Sequence, residues 1–300
     1  MLESVPTTYD LSEAIPRRAS PVRLDDPPPY PISPRPPAAP SVLPKRRPAK
    51  TGKLRLRRRR ATSRGHRTGR TQSTQEVRED FDRIAGLSRE GGWDHNSHYH
   101  PLLLRQLPLR LHEALEVGCG TGAFVRSLAG RSERVLAVDL SPRMVEVARA
   151  RSKGYTNVEY AVADANSWPF PEGRFDCVAS ITALHHLPLA PTLRKMGDAL
   201  RPGGPLLVLD LYKARSPADY LVGALGFPAS KAIRLARTGA MSGPRQPPEL
   251  RRAWEEHYAT DRFPTLAEVR EACAEAGLRG ARVRRRLLWR YSLVWRKPMR

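Results

Sequence analysis

The residues of this chain with the types and spacing to do chemistry lie between positions 116 and 187. Glu116-Val117-Gly118-Cys119-Gly120-Thr121-Gly122 places three glycines between an apolar run and the start of a helical pattern. Glycines there allow a tight turn and let a ligand lie directly against the backbone, with the first N–H groups of the next helix facing it. Asp139 closes the apolar run Val135–Val138, 19 residues past Gly120. An α/β nucleotide site places a carboxylate for the ribose hydroxyls at that distance. Asp164 closes a further run, and His185-His186 follow another, Phe175–Ile181. Together these groups suit the grip of a nucleotide-type cofactor, with imidazoles at hand for proton transfer. The loop alone leaves the cofactor open, because Gly118, Gly120 and Ala123 also satisfy the dinucleotide pattern G-x-G-x-x-G/A.

The elements that must position these groups alternate along the chain. Apolar runs at 114–117, 135–139, 158–165, 175–181 and 205–209 read as strands, separated by helical patterns. Ser141-Pro142 is an N-cap followed by proline at the first helical position. Pro202-Gly203-Gly204 stops a helix before the fifth strand, and Thr265-x-x-Glu268 is a capping box. Arg282–Arg284 and Tyr291–Trp295 close the chain as two more strands.

In this order and spacing, E-V-G-C-G-T-G, Asp139, Ala163-Asp164-Ala165, Phe175-Asp176, Leu184-His185-His186-Leu187 and Leu200-Arg201-Pro202-Gly203-Gly204 resemble the class I S-adenosylmethionine-dependent methyltransferases. The likeness is to the small-molecule group that includes the ubiquinone and menaquinone methyltransferases, over roughly residues 80–298. It implies an α/β fold: a Rossmann-like, seven-stranded, mostly parallel sheet with helices on both faces and the last strand antiparallel. It implies S-adenosylmethionine as cofactor, with transfer of its methyl group by in-line displacement to an O, N or C nucleophile of a small-molecule acceptor.

The resemblance places the loop Gly118, Gly120 and Gly122 on the methionine and ribose side of the cofactor, with Glu116 orienting the loop. Asp139 is expected on the ribose, Leu140 against adenine, and Asp164 and Ala165 near the adenine amino edge. Ile181 and Thr182 are expected at the sulfonium end. His186 is the candidate catalytic base for an acceptor that must lose a proton, with His185 beside it. Two other classes stay open from the residues: a nucleic-acid-directed methyltransferase or binding protein that uses basic ends, and an NAD(P)-dependent oxidoreductase.

Charge divides the chain. The net charge is +22, of which residues 1–78 carry +12 and residues 281–300 carry +8, so the body between them is nearly neutral. Residues 1–50 hold 13 prolines and little apolar periodicity, followed by a basic run from Lys45 to Arg70. Such a segment cannot bury enough surface to offset the entropy of ordering. The expected organisation is therefore a disordered Pro/Arg-rich tail over 1–78 and a methyltransferase domain over 79–300, with 213–263 inserted as a cap over the substrate.

The basic tail is a candidate contact for nucleic acid or another anionic partner. The cysteines, Cys119, Cys177 and Cys273, show no paired spacing and read as reduced thiols. With no apolar run of membrane-spanning length and no secretion signal, a cytoplasmic protein is expected. His95, His98 and His100 lack a neighbouring carboxylate or cysteine cluster, so no metal is assigned. Trp93 and Tyr99 are candidate lid aromatics, or else pack the lid onto the core.

Overall fold

A computed structural model describes residues 72–88, 95–239 and 246–299. The basic run 45–70 and Trp93 lie outside these residues. The strands are β1 Leu111–Val117, β2 Ser132–Asp139, β3 Val158–Val162, β4 Cys177–Ile181, β5 Pro205–Leu211, β6 Arg282–Arg286 and β7 Arg290–Arg296. They form one seven-stranded sheet in the order β3-β2-β1-β4-β5-β7-β6. Strands β1 to β5 pair in parallel, and β7 runs antiparallel to both β5 and β6. The expected Rossmann-like sheet with a reversed last strand is thus the observed one.

Helices flank the sheet: α1 Thr74–Leu87, α2 His100–Leu104, α3 Ala123–Ala129, α4 Pro142–Arg151, α5 Leu189–Asp198, α6 Pro217–Thr238, α7 Pro248–Tyr258 and α8 Leu266–Glu275. The central strands are covered on both faces, which is why they read as unbroken apolar runs. Leu115, Val117, Val178, Leu206 and Val208 point to one face, where Leu193 and Met196 of α5 and Val269 of α8 cover them. Ala114, Ala137, Cys177, Ala179 and Leu207 point to the other, under Phe124 and Leu128 of α3 and Ala148 of α4. Each fully buried Leu or Val is worth about 1.5–3 kcal/mol. All three cysteines are buried and free.

Local chemistry sets the boundaries. The Ser141 side chain accepts from Met144 N at the start of α4, and Thr265 and Glu268 cap α8 reciprocally. Strand β3 stops at Val162, short of the run expected to 165. Ala163 N donates to Asp139 O (2.9 Å), and Asn166 N donates to the Asp164 side chain (2.9 Å). A side-chain turn of this kind competes with ladder pairing. Helix α1 begins at Thr74, capped by Ser73 and Glu76. It therefore starts upstream of the domain boundary expected at 79, and Val77 within it is buried.

Between β5 and α8 the chain makes one long excursion containing α6 and α7. Its ends meet where Lys213 N donates to Pro264 O (2.8 Å). Leu250 and Ala253 of α7 pack with Ile84 and Ala85 of α1 and Met144 of α4. Asp82 of α1 accepts from the Ser141 hydroxyl (2.6 Å) and from Arg143 N (3.2 Å), which holds α1 to the start of α4. Among the described residues no helix is long and apolar enough to cross a membrane.

Candidate active site

The strand order reverses beside β1, since β2 and β3 lie on one side of it and β4 and β5 on the other. Open α/β sheets bind ligands outside the carboxyl ends of the strands at such a point. A cavity of about 560 Å³ lies there. Its lower wall is the turn between β1 and α3. Gly118 has φ +71°, and a Cβ there would overlap the methyl group of Ala183. Gly118 N and Cys119 N both donate to Val138 O (2.8 and 3.1 Å), tying the turn to β2.

Asp139 completes that tie. Its carboxylate accepts from Gly120 N (2.7 Å) and from Ser141 N (2.9 Å). Burial pushes its pKa up to about 6, the Ser141 and Gly120 N–H groups hold it from rising further, and the charge of Asp82 adds to the rise. Glu116, fully buried at the end of β1, is held well above the usual carboxylate range by burial and then by the neighbouring Asp139 charge.

One oxygen of Glu116 and the hydroxyl of Thr182 are buried without a hydrogen-bond partner. Thr182 also has φ +56°, an unfavourable conformation for a β-branched residue. Strain and unpaired polar atoms at one cavity wall are the marks of a surface shaped for a ligand.

Eight of the expected cofactor residues line this cavity: Glu116, Gly118, Gly120, Asp139, Leu140, Asp164, Ala165 and Ile181. Thr182 and both histidines join them. Gly122 stands apart from the lining. At φ +77° a Cβ on it would run into the Tyr160 hydroxyl, so its part is to let the turn close. Tyr99 takes the packing alternative: it is buried, and its hydroxyl donates to Leu287 O (3.3 Å).

The opposite side of the cavity is built from segments distant in the chain. His185 donates from Nδ1 to Asp210 Oδ1 (2.7 Å), and its backbone N–H donates to Asp210 Oδ2 (3.0 Å). Burial works against charge on His185, yet the Asp210 carboxylate, with help from Asp261, pushes its pKa up to about 9. His186 is driven the other way, down to about 3, by burial and then by the charge of His185.

The Asp261 side chain is fully buried. Its Oδ2 lies 3.8 Å from His185 Nε2 and 3.4 Å from His257 Nε2, and its Oδ1 lies 3.7 Å from His186 Nδ1. His257 Nδ1 faces Asp80 of α1 at 3.4 Å. Phe81 of α1 sets its ring edge against His186 (5.3 Å) and His257 (4.7 Å), and Trp254 stacks on Tyr258 (5.3 Å).

His186, the expected base, therefore faces the cavity as a neutral imidazole whose low basicity suits it poorly to hold a proton near neutral pH. The more basic ring is His185. Sequence reasoning missed His257, Asp261 and Trp254. Their one sequence signal is His257-x-x-x-Asp261 at the end of an amphipathic helix, the spacing that stacks two side chains on one face. Among the described residues, the His, Cys, Asp and Glu atoms that approach closely enough to hold a metal belong to His185, His186 and Asp261, away from the 95–100 histidines.

A nucleotide-type crevice with a glycine turn, a strand-end acid and a buried imidazole pair defines a nucleotide-cofactor site, and the comparisons with known proteins give its family. Residues 114–204 match the family model for a methyltransferase domain. An uncharacterized methyltransferase of Mycobacterium tuberculosis is 30% identical over 213 residues, covering 69% of this chain and 98% of that protein. A demethylmenaquinone methyltransferase of Tropheryma whipplei is 30% identical over 148 residues, covering 47% of this chain and 62% of that one. A ubiquinone biosynthesis O-methyltransferase of Xanthomonas axonopodis pv. citri is 32% identical over 161 residues, covering 49% and 66%. The chain belongs to the S-adenosylmethionine-dependent methyltransferases. Membership in that family decides against the dinucleotide oxidoreductase reading.

Proposed function

We propose that this enzyme methylates a small-molecule acceptor held in the cavity between the glycine turn and the α1–α7 wall. The observation that carries the reading is the size and lining of that cavity. Its volume, about 560 Å³, falls in the range of small-ligand sites, roughly 300–1,000 Å³. The aromatic wall of Phe81, Trp254 and Tyr258 suits a flat or apolar acceptor. Quinone-precursor methyltransferases among the relatives support a phenolic or enolic acceptor, and the O, N or C acceptor atom follows from the compound itself.

The residues fit the cofactor on two counts: the turn is bare of side chains at Gly118, and Glu116 and Thr182 hold unpaired polar atoms toward the cavity. Asp139 would take the ribose hydroxyls on the free lone pairs of its carboxylate. Leu140 would flank adenine, with Asp164 and Ala165 at its amino edge, while Glu116 steadies the turn. Ile181 and Thr182 would line the reacting end.

When bound, S-adenosylmethionine supplies an electrophilic methyl group, and the protein's work is placement. Holding the two reactants in line lowers a barrier by up to about 7–11 kcal/mol. The α1–α7 wall shields one side of the acceptor from water, and the His185–His186 pair lines the cavity beside it. The region 213–263 acts as the substrate cap through α7. The test is transfer of a labelled methyl group to a metabolite extract and, in parallel, to bulk RNA. Label in a small phenol, enol or amine is expected. Label in RNA alone would replace this reading with the nucleic-acid one, and no label in either, despite bound S-adenosylhomocysteine, would reject catalysis.

A further inference from the structure

We infer that His185, His186 and Asp261 form a binding site for a divalent transition-metal ion of the zinc class at the acceptor end of the cavity. The Asp261 side chain is fully buried, and neither of its oxygens has a hydrogen-bond partner. A buried carboxylate without donors is expensive. Three imidazole nitrogens nevertheless face it from 3.4–3.8 Å without forming a well-aligned hydrogen bond. With bonds of about 2.0–2.1 Å, two ligand atoms of a tetrahedral ion lie roughly 3.3–3.4 Å apart, so the His185 and His186 nitrogens, at 3.8 and 3.7 Å from the nearer Asp261 oxygen, must draw inward to share one ion. The candidate ligand atoms of His185, His186 and Asp261 all fall within 4.8 Å of one another.

The outer partners agree. His185 donates its Nδ1–H to Asp210, which turns Nε2 toward Asp261, and a metal bound there would displace the Nε2 proton. His257 faces Asp80 through Nδ1 and Asp261 through Nε2. A carboxylate behind a ligating imidazole fixes its tautomer and raises its donor strength. His186 reaches with Nδ1 and leaves its buried Nε2 unpaired. Two imidazoles and one carboxylate favour zinc, cobalt or nickel over magnesium or calcium, which prefer all-oxygen sets. Three protein ligands leave a coordination position open, as catalytic rather than structural sites do. His185 and His186 line the cavity, so that position opens toward the acceptor. If the proposed function holds, the ion would bind an acceptor oxygen and favour its deprotonated form. Metal binding itself does not depend on that role.

The test uses the full chain freed of metal with a chelator and titrated with Co²⁺. We expect one equivalent of Co²⁺ with the visible absorption of a four- or five-coordinate N/O site, and its displacement by Zn²⁺. Asp261→Asn, which keeps shape and volume, and His185→Ala should each weaken Co²⁺ binding at least a hundredfold. His112→Ala, an exposed histidine on β1 remote from the cluster, should not change it. Calorimetry with S-adenosylhomocysteine on each variant reports separately that the cofactor half is intact. Absence of the cobalt spectrum in a chain that still binds S-adenosylhomocysteine would overturn the inference while leaving the proposed function standing. Equal Co²⁺ binding by wild type and Asp261→Asn would overturn it as well.

Discussion

The two sides of the cavity are built by opposite strategies. The cofactor side is made from neighbours in sequence: a strand, a turn, a helix and the next strand, tied by backbone N–H groups to Val138 O and Asp139. The acceptor side gathers Asp80, His185, His186, Asp210, His257 and Asp261 from four separate segments and holds them by side chains. The first side is fixed by main-chain geometry and tolerates little change. The second depends on packing and can vary one residue at a time.

The sharpest way to break that contrast is at Gly118. Gly118→Ala puts a Cβ into the Ala183 methyl group at φ +71°. Strain and overpacking together should cost about 2–5 kcal/mol, read as a fall in unfolding free energy and loss of S-adenosylhomocysteine binding. Adding Ala183→Gly should recover the overpacking part only. A neutral Gly118→Ala would show that the turn is not constrained as described.

Next comes pH. The folded-state pKa of Asp139 is raised to about 6, against about 3.9 in an unfolded chain. Its contribution to stability is therefore fully present below about pH 4 and is lost as pH rises through 6, a change of about 3 kcal/mol. Glu116, held well above the usual carboxylate range, adds to the same trend, and the charge of Asp82 contributes to the rise at Asp139. Relative to Asp139→Asn, the wild type should lose stability between about pH 4 and pH 7, while its cofactor affinity rises over that range as the carboxylate ionises. Parallel stability profiles for the two proteins would contradict the burial of this group.

Asp139→Ala should weaken S-adenosylhomocysteine binding ten- to hundredfold, since hydrogen bonds to a charged group are worth about 1.5–3 kcal/mol. Calorimetry checks it, and unchanged affinity would assign the ribose to another residue. On the acceptor side, Trp254→Ala should raise KM for the methylated compound about tenfold, the worth of one aromatic contact beyond its area, with cofactor affinity unaltered. Equal losses for both ligands would mean that the two sides are not separable. The smallest effect is expected at Ser73→Ala, which removes the cap of α1 and should cost about 1 kcal/mol in thermal unfolding.

The same contrast explains what could be read from the chain. The turn, the acids at 139 and 164 and the strands carrying them are local patterns, legible because period, glycine and cap act over a few residues. The end of β3 was misplaced because Asp164 turns the chain with its own side chain, a choice that apolar content does not reveal. Gly122 carries the same residue type as Gly118 but faces Tyr160 rather than the cavity, a difference that only the packing of β3 decides. His257 and Asp261 stayed hidden because nothing within a helix specifies which distant histidines its face will meet.

The single hydrogen bond between Lys213 and Pro264 has a consequence for how such enzymes diversify. The excursion that carries α7, His257 and Asp261 leaves the sheet and returns to it at almost the same point, so what it contains is free to change without disturbing the strands at either end. The α7 part of the cavity wall is thereby a detachable cassette. A lineage could exchange that cassette whole and acquire a new compound to methylate while inheriting the cofactor grip intact.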